Sequence, residues 1–167
     1  MRAIGISFAL TLLTTAALAQ PGAAQSAQSI KTYSSSADVA ALQAKAKSER
    51  KEGQPLVVER ILQLAPYNAN LEYRASVGPA SIHEKEAEVF YVIDGSATMV
   101  TGGKLLGESR TNAENLTGTG IEGGMSRSVA KGDFIVVPEN TPHWFSSING
   151  AITLMSLHVP RSSGGTR

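Results

Sequence analysis

From Pro55 onward the apolar positions of this chain recur in step two. Leu71, Tyr73, Ala75 and Val77 alternate with Glu72, Arg74 and Ser76, the period of a strand with one covered face. Leu56 to Leu64 is rich in β-branched and apolar residues and ends at Pro66. Glu88 to Ile93 sends Glu88, Phe90 and Val92 to one face and Val89, Tyr91 and Ile93 to the other, and Asp94-Gly95 after it reads as a hairpin turn into Ser96–Thr101. Ser126 to Ala130 leads to a turn at Lys131-Gly132-Asp133. Phe134 to Val137 reads as a buried strand stopped by Pro138. His143 to Ile148 and Ala151 to Val159 flank a second turn at Asn149-Gly150. The pattern predicts about ten short strands, and so an all-β sandwich or jelly-roll barrel.

Before Pro55 the period changes. Val39, Leu42 and Ala46 fall at helical spacing, which predicts one helix over 37–53 with Ser36 as N-cap and Gly53 as its stop. Residues 20–36, rich in Gln, Ser and Ala, read as a flexible lead, and Arg161 to Arg167 as a frayed tail. Between the strands, Lys104 to Gly124 reads as an inserted loop or small lobe, with short strands near Leu105-Leu106. Asn115-Leu116-Thr117 inside it matches a glycosylation acceptor, a triplet too common to carry weight.

Residues 1–19 set a different constraint. Arg2 is followed by an apolar or small stretch to Leu18, and Ala17-Leu18-Ala19 is a small-x-small cleavage pattern. This is the layout of a signal peptide cut after Ala19, which makes the mature protein secreted or periplasmic, with no membrane association after cleavage. The chain has 15 Lys and Arg against 14 Asp and Glu, so removing Arg2 leaves the two balanced. That balance argues against nucleic acid or anionic lipid as partner. With no cysteine, thiol chemistry, disulfides and zinc–cysteine sites are excluded.

The candidate chemistry lies in two stretches. His83 and Glu88 stand five residues apart at the head of a strand, and His143 follows Thr141-Pro142 far downstream. Brought to one cavity, two imidazoles and a carboxylate suit a divalent transition metal. Glu84 and Glu86 read as a solvated rim and His158 as a core or rim histidine. Tyr67, Tyr73, Phe90 and Trp144 read as packing. No Gly-x-Ser-x-Gly elbow, phosphate-cradling loop or DNA-reading motif is present in the sequence.

These stretches resemble the two motifs of the cupin superfamily over about residues 55–160. In the pattern G-x5-H-x-H-x3,4-E-x6-G, His83, Glu88 and Gly95 fit, with Ser81 at the first histidine and Ala75 at the opening glycine. In G-x5-P-x-G-x2-H-x3-N, Gly132, Pro138 and His143 fit, with Asn140 at the second glycine and Ser147 at the terminal Asn. The resemblance implies a double-stranded β-helix with an insertion at about 102–124. It also implies a metal (Fe, Mn, Ni or Zn) on His83, Glu88 and His143, one ligand short at Ser81. Such proteins include dioxygenases, isomerases, epimerases and decarboxylases that act on small oxygenated molecules. The alternative is a non-catalytic cupin that binds a small ligand with no metal. A homodimer through the face of Tyr91 is a further expectation of the resemblance. The residues themselves name no catalytic group and no organic cofactor.

Overall fold

The structure is a computed structural model that describes residues 29–161. The expected signal peptide, residues 20–28 of the lead and residues 162–167 of the tail lie outside the described residues. Helix α1 spans Ser36–Glu49. Its N-cap is Ser35 and not Ser36: Ser35 Oγ accepts from the Asp38 amide at 3.1 Å, and the Asp38 carboxylate accepts from the Ser35 amide at 2.8 Å. The reason is spacing. Three residues beyond Ser35 stands a carboxylate that can return the bond, whereas three beyond Ser36 stands Val39. The helix also stops short of Gly53. Arg50 is already extended, and its Nε donates to the Gln54 carbonyl at 2.8 Å. Val39, Leu42 and Ala46 pack on Ile61, Ala69 and Leu71, so the helix caps the outer face of a sheet.

The described residues form eleven strands: β1 (Leu56–Leu64), β2 (Tyr67–Arg74), β3 (Ala80–His83), β4 (Glu86–Thr101), β5 (Lys104–Leu106), β6 (Ser109–Arg110), β7 (Asn115–Gly118), β8 (Gly120–Glu122), β9 (Met125–Ala130), β10 (Phe134–Val137) and β11 (His143–Pro160). Antiparallel β4 and β11 pair along their whole length, from Glu86↔Pro160 to Thr101↔His143. On the far side of β4 lie β10 and β9; on the far side of β11 lie β2 and β3, and β1 pairs with β2. Lys31 of the lead adds a bridge to Gln63 on β1, so this part of the lead is tied to the sheet edge. Phe90, Val92, Met99, Val129, Ile135, Phe145, Ile152 and Leu154 fill the interior.

Asp94-Gly95 and Asn149-Gly150 do not make hairpin turns. β4 runs through the first and β11 through the second, and the register slips between Ile148 and Ile152 where Ile152 faces Gly95. They are paired bulges that bend the two long strands together. Straight, the 13 steps from Glu88 to Thr101 would span about 43 Å at ~3.3 Å per residue. Instead the His143 end returns to Glu88, with His143 Nε2 3.1 Å from Glu88 Oε2. Gly95 is required at the bend: its φ is +83°, and a Cβ there would lie 2.1 Å from the Ala151 carbonyl oxygen. Gly150 also has positive φ but nothing within 4 Å. Gly95→Ala is therefore expected to lower the urea midpoint well beyond Gly150→Ala, which should cost only the ~1–2 kcal/mol of left-handed strain. Equal midpoints for the two variants would contradict the bend.

One further expectation changes. β10 is only half buried, with Ile135 and Val137 inside and Phe134 and Val136 exposed at 73% and 64%; a continuous apolar run does not tell which faces are covered. Tyr91 meets Phe134 on this outer face at 4.6 Å between ring centroids. The 104–124 insertion is the small lobe its sequence suggests, with a strand at Leu105-Leu106, and is held by pairing: β5 with β8, and β7 with both β6 and β3. Leu105, Leu116 and Ile121 make a small core of their own with Ala80, Ile82 and Trp144.

Candidate metal centre

The bend brings four side chains together. Glu88, on β4, is 3% exposed. Its Oε2 lies 3.1 Å from His143 Nε2 and 3.3 Å from His83 Nε2; its Oε1 lies 3.4 Å from His158 Nε2. All three histidines of the chain thus surround one buried carboxylate. His83, Glu88 and His158 each offer a ligand atom within 4.8 Å of the others. His143 is buried and joins them through Glu88.

The structure therefore gathers His83, Glu88 and His143, the three residues singled out in the sequence, and adds His158. His158 reads as a core or rim residue because both faces of Ala151–Val159 are apolar, and periodicity cannot choose between them. Its position is set by long-range register: His158 is the cross-strand partner of Glu88. Ser81 lies opposite His143, one inward-facing position before His83.

Each imidazole has an oxygen behind it. His83 Nδ1 faces Asn115 Oδ1 at 2.7 Å, and His143 Nδ1 faces the Thr141 carbonyl at 3.1 Å. His158 Nδ1 lies 3.1 Å from Glu86 Oε2, but out of line for a hydrogen bond, and has no other partner among the described residues. An oxygen at Nδ1 fixes the ring and aims Nε2 forward, the arrangement found behind metal-bound histidines. The donor set of imidazole nitrogen and carboxylate oxygen suits Fe, Mn, Ni or Zn. The residues present therefore fit a divalent ion, with His83, Glu88 and His158 placed to hold it.

Electrostatics couple the groups. Burial alone would push the Glu88 carboxyl up, but hydrogen bonds from His143 and His83 and the nearby charge of His143 and His158 hold it far below its ordinary 4.5. Burial would pull His83 down, but hydrogen bonds to Glu88 and Asn115 raise it above 6.5. Because the folded Glu88 is more acidic than the unfolded one, its contribution to stability is present above pH 4.5 and is lost as pH falls toward its folded value. Because folded His83 is less acidic, its contribution is complete below pH 6.5 and is lost as pH rises through the raised value. The stability that Glu88 adds to the metal-free protein, read as the difference between wild type and Glu88→Gln in urea, should thus be greatest between pH 4.5 and 6.5. A difference that does not vary with pH would contradict this coupling.

A polar wall adjoins the cluster. Asn68, Asn70, Glu72 and Arg74 share one face of β2, in register with Ser156 and Leu154 on β11. Glu72 Oε1 accepts from Ser156 Oγ at 2.8 Å, and Oε2 accepts from Arg74 at 2.7 and 3.0 Å. The Arg74 guanidinium lies over the Phe145 ring, 5.0 Å from its centroid. The side-chain oxygens of Asn68 and Asn70 are buried with no partner among the described residues.

The cupin family model matches residues 55–161, the whole span of β1 to β11. The chain belongs to the cupin family. Solved structures with a similar fold include Fe(II) HppE (TM-score 0.49, 15% identity), where the match covers 65% of this cupin and only 53%, about half, of that chain. Another is KdgF from Halomonas sp. (TM-score 0.48, 16% identity, 68% of this cupin and 87% of that chain). A third is TT1209 from Thermus thermophilus (TM-score 0.48, 15% identity, 70% and 93%). No curated protein sequence matches this cupin.

Proposed function

We propose that this cupin holds one divalent transition metal among His83, Glu88, His143 and His158, and takes a small oxygenated molecule beside it as a metal-dependent enzyme. The observation that carries the reading is the convergence of three Nε2 atoms on one buried carboxylate. A serine hydroxyl at position 81 is a weak donor, and His158 supplies an imidazole from another strand in its place. A bound ion of this kind would polarise a substrate oxygen or activate dioxygen, the chemistry of dioxygenases and isomerases. The chain's own groups do the rest. Glu88 balances the cation's charge. The unpartnered oxygens of Asn68 and Asn70 accept hydrogen bonds from ligand hydroxyls, since a buried acceptor left unpaired costs ~1–3 kcal/mol. Phe90, fully buried beneath His143, keeps water from the floor of the site. In this reading the protein works outside the cytoplasm after loss of residues 1–19.

The test is thermal unfolding of chelator-treated protein with and without Fe(II), Mn(II), Ni(II) or Zn(II). Binding at a hundredfold excess over Kd adds about 2.7 kcal/mol, so at least one ion should raise the midpoint by several degrees. A midpoint indifferent to all four ions and to chelator would overturn the reading. The hydrogen bonds from His83 and His143 to Glu88 favour the second reading in that case, a metal-free binding protein in which His143→Ala weakens ligand uptake.

A further inference from the structure

The cavity has a cationic side that a metal at Glu88 leaves unused. We infer that the small oxygenated molecule is a hydroxy acid, and that Arg60 on β1 holds its carboxylate. The inference rests on the reading of this cavity as the ligand site, and it needs no metal.

Register places Arg60 in the wall. Its cross-strand partner is Asn70, Asn70 faces Ser156, and Ser156 faces Phe90. Phe90 and Ser156 are fully buried, so this row lies on the inner face of the sheet. Alternation along β1 agrees. Glu59, one residue before, reaches Lys45 of α1 at 2.9 Å on the outer face, and Ile61, one residue after, packs under the same helix. The row of Glu88 and His158 is the neighbouring one, two residues along β4 and β11. From His158 to Arg60 the backbone distance is two strand spacings of ~4.8 Å across and two residues of ~3.3 Å along, roughly 12 Å before the sheet's curl brings the two closer. A guanidinium at the end of a long side chain covers much of that gap. What is left suits a ligand a few carbons long.

Charge selects the class. Among the described residues Arg74, Arg110 and Arg161 each reach a carboxylate, and Arg60, which is exposed, reaches none. Glu72 is matched by Arg74, so the next row adds no net charge. On the far side of the Glu88 row stands Glu86, whose Oε2 lies 3.1 Å from His158 Nδ1. The cavity is therefore acidic at one end and basic at the other, which turns the charge of an anionic ligand toward Arg60. Between the ends lie the oxygens of Asn68 and Asn70, acceptors that no described residue satisfies. They suit hydroxyl donors. A free cation beside free acceptors matches a molecule that carries both an acid and hydroxyl groups. One arginine balances one carboxylate, whereas a phosphate monoester brings a charge of about −1.5 to −2 and exceeds it.

The experiment is calorimetric titration of chelator-treated protein with gluconate, sorbitol and sorbitol 6-phosphate, which share a six-carbon hydroxylated chain, and with the four-carbon threonate and erythritol. At least one acid should bind ~10–100-fold more tightly than its neutral partner, the worth of a charge-assisted hydrogen bond, and more tightly than the phosphate. Arg60→Gln should erase that preference without lowering the urea midpoint, because no acidic partner is stranded. Arg60→Lys should keep part of the preference. Lys131→Gln removes the same charge from a side chain that is 72% exposed and should keep all of it. Acids and polyols that bind alike, an acid preference that survives Arg60→Gln, a preference for the phosphate, or no uptake of either acid would overturn the inference. Any of these results in a protein that takes up metal strikes the acid alone and leaves the metal standing. An Arg60-dependent preference in a protein that takes up no ion does the reverse.

Discussion

Glu88→Gln should abolish tight metal binding, with calorimetric titration of the chelator-treated variant giving no saturable uptake. Glu88 is the one side chain that all three imidazoles touch. Glutamine keeps its shape but removes the charge that balances a divalent ion, and turns one of the two oxygens into a donor aimed at imidazole nitrogens. The loss should exceed the ~10–100-fold that a missing outer partner causes. The fold should survive, because glutamine has the shape of Glu88 and still offers hydrogen-bonding groups to the imidazoles. Near-normal affinity in Glu88→Gln would mean that metal, if bound, sits elsewhere.

The largest expected effect on stability lies on the adjoining wall. Glu72 is 5% exposed and joins Arg74 and Ser156 in one network. Glu72→Leu strands the Arg74 guanidinium, whose side chain is 17% exposed, over an aromatic ring with no counter-charge. Removing one partner of a buried pair costs ~3–5 kcal/mol, and partial solvent access at Arg74 places the expected loss at the low end, about 3 kcal/mol in urea unfolding. Glu72→Leu combined with Arg74→Leu should recover at least half of it, since a buried pair exchanged for apolar groups is often near neutral. A double variant less stable than the single one would show that Arg74 holds the wall by contacts other than Glu72.

Much of the architecture is legible in the residues because it is written locally. Alternation along 88–93 sends Glu88, Phe90 and Val92 inward, and these are buried. Asn140, at a position where the family pattern has glycine, adopts φ +56°, the backbone that glycine would supply. What was illegible depends on partners far along the chain. A glycine with positive φ makes a tight turn or a bulge according to what lies across from it, so Asp94-Gly95 and Asn149-Gly150 look like hairpins until β4 and β11 are seen to pair through them. His158 and Asn115 are invisible for the same reason: each takes its place by register, opposite Glu88 and His83 respectively. The two inner asparagines of β2 sit in an alternating strand that gives no sign of which face is wet.

The measurement that bears most directly on a metal at Glu88 is the metal content of the gently purified mature protein, followed by uptake of added Fe, Mn, Ni or Zn. Roughly one ion per chain is expected, held by wild type and lost by Glu88→Gln. Protein that arrives with no metal above a metal-free control, and takes up none of the four, would contradict it.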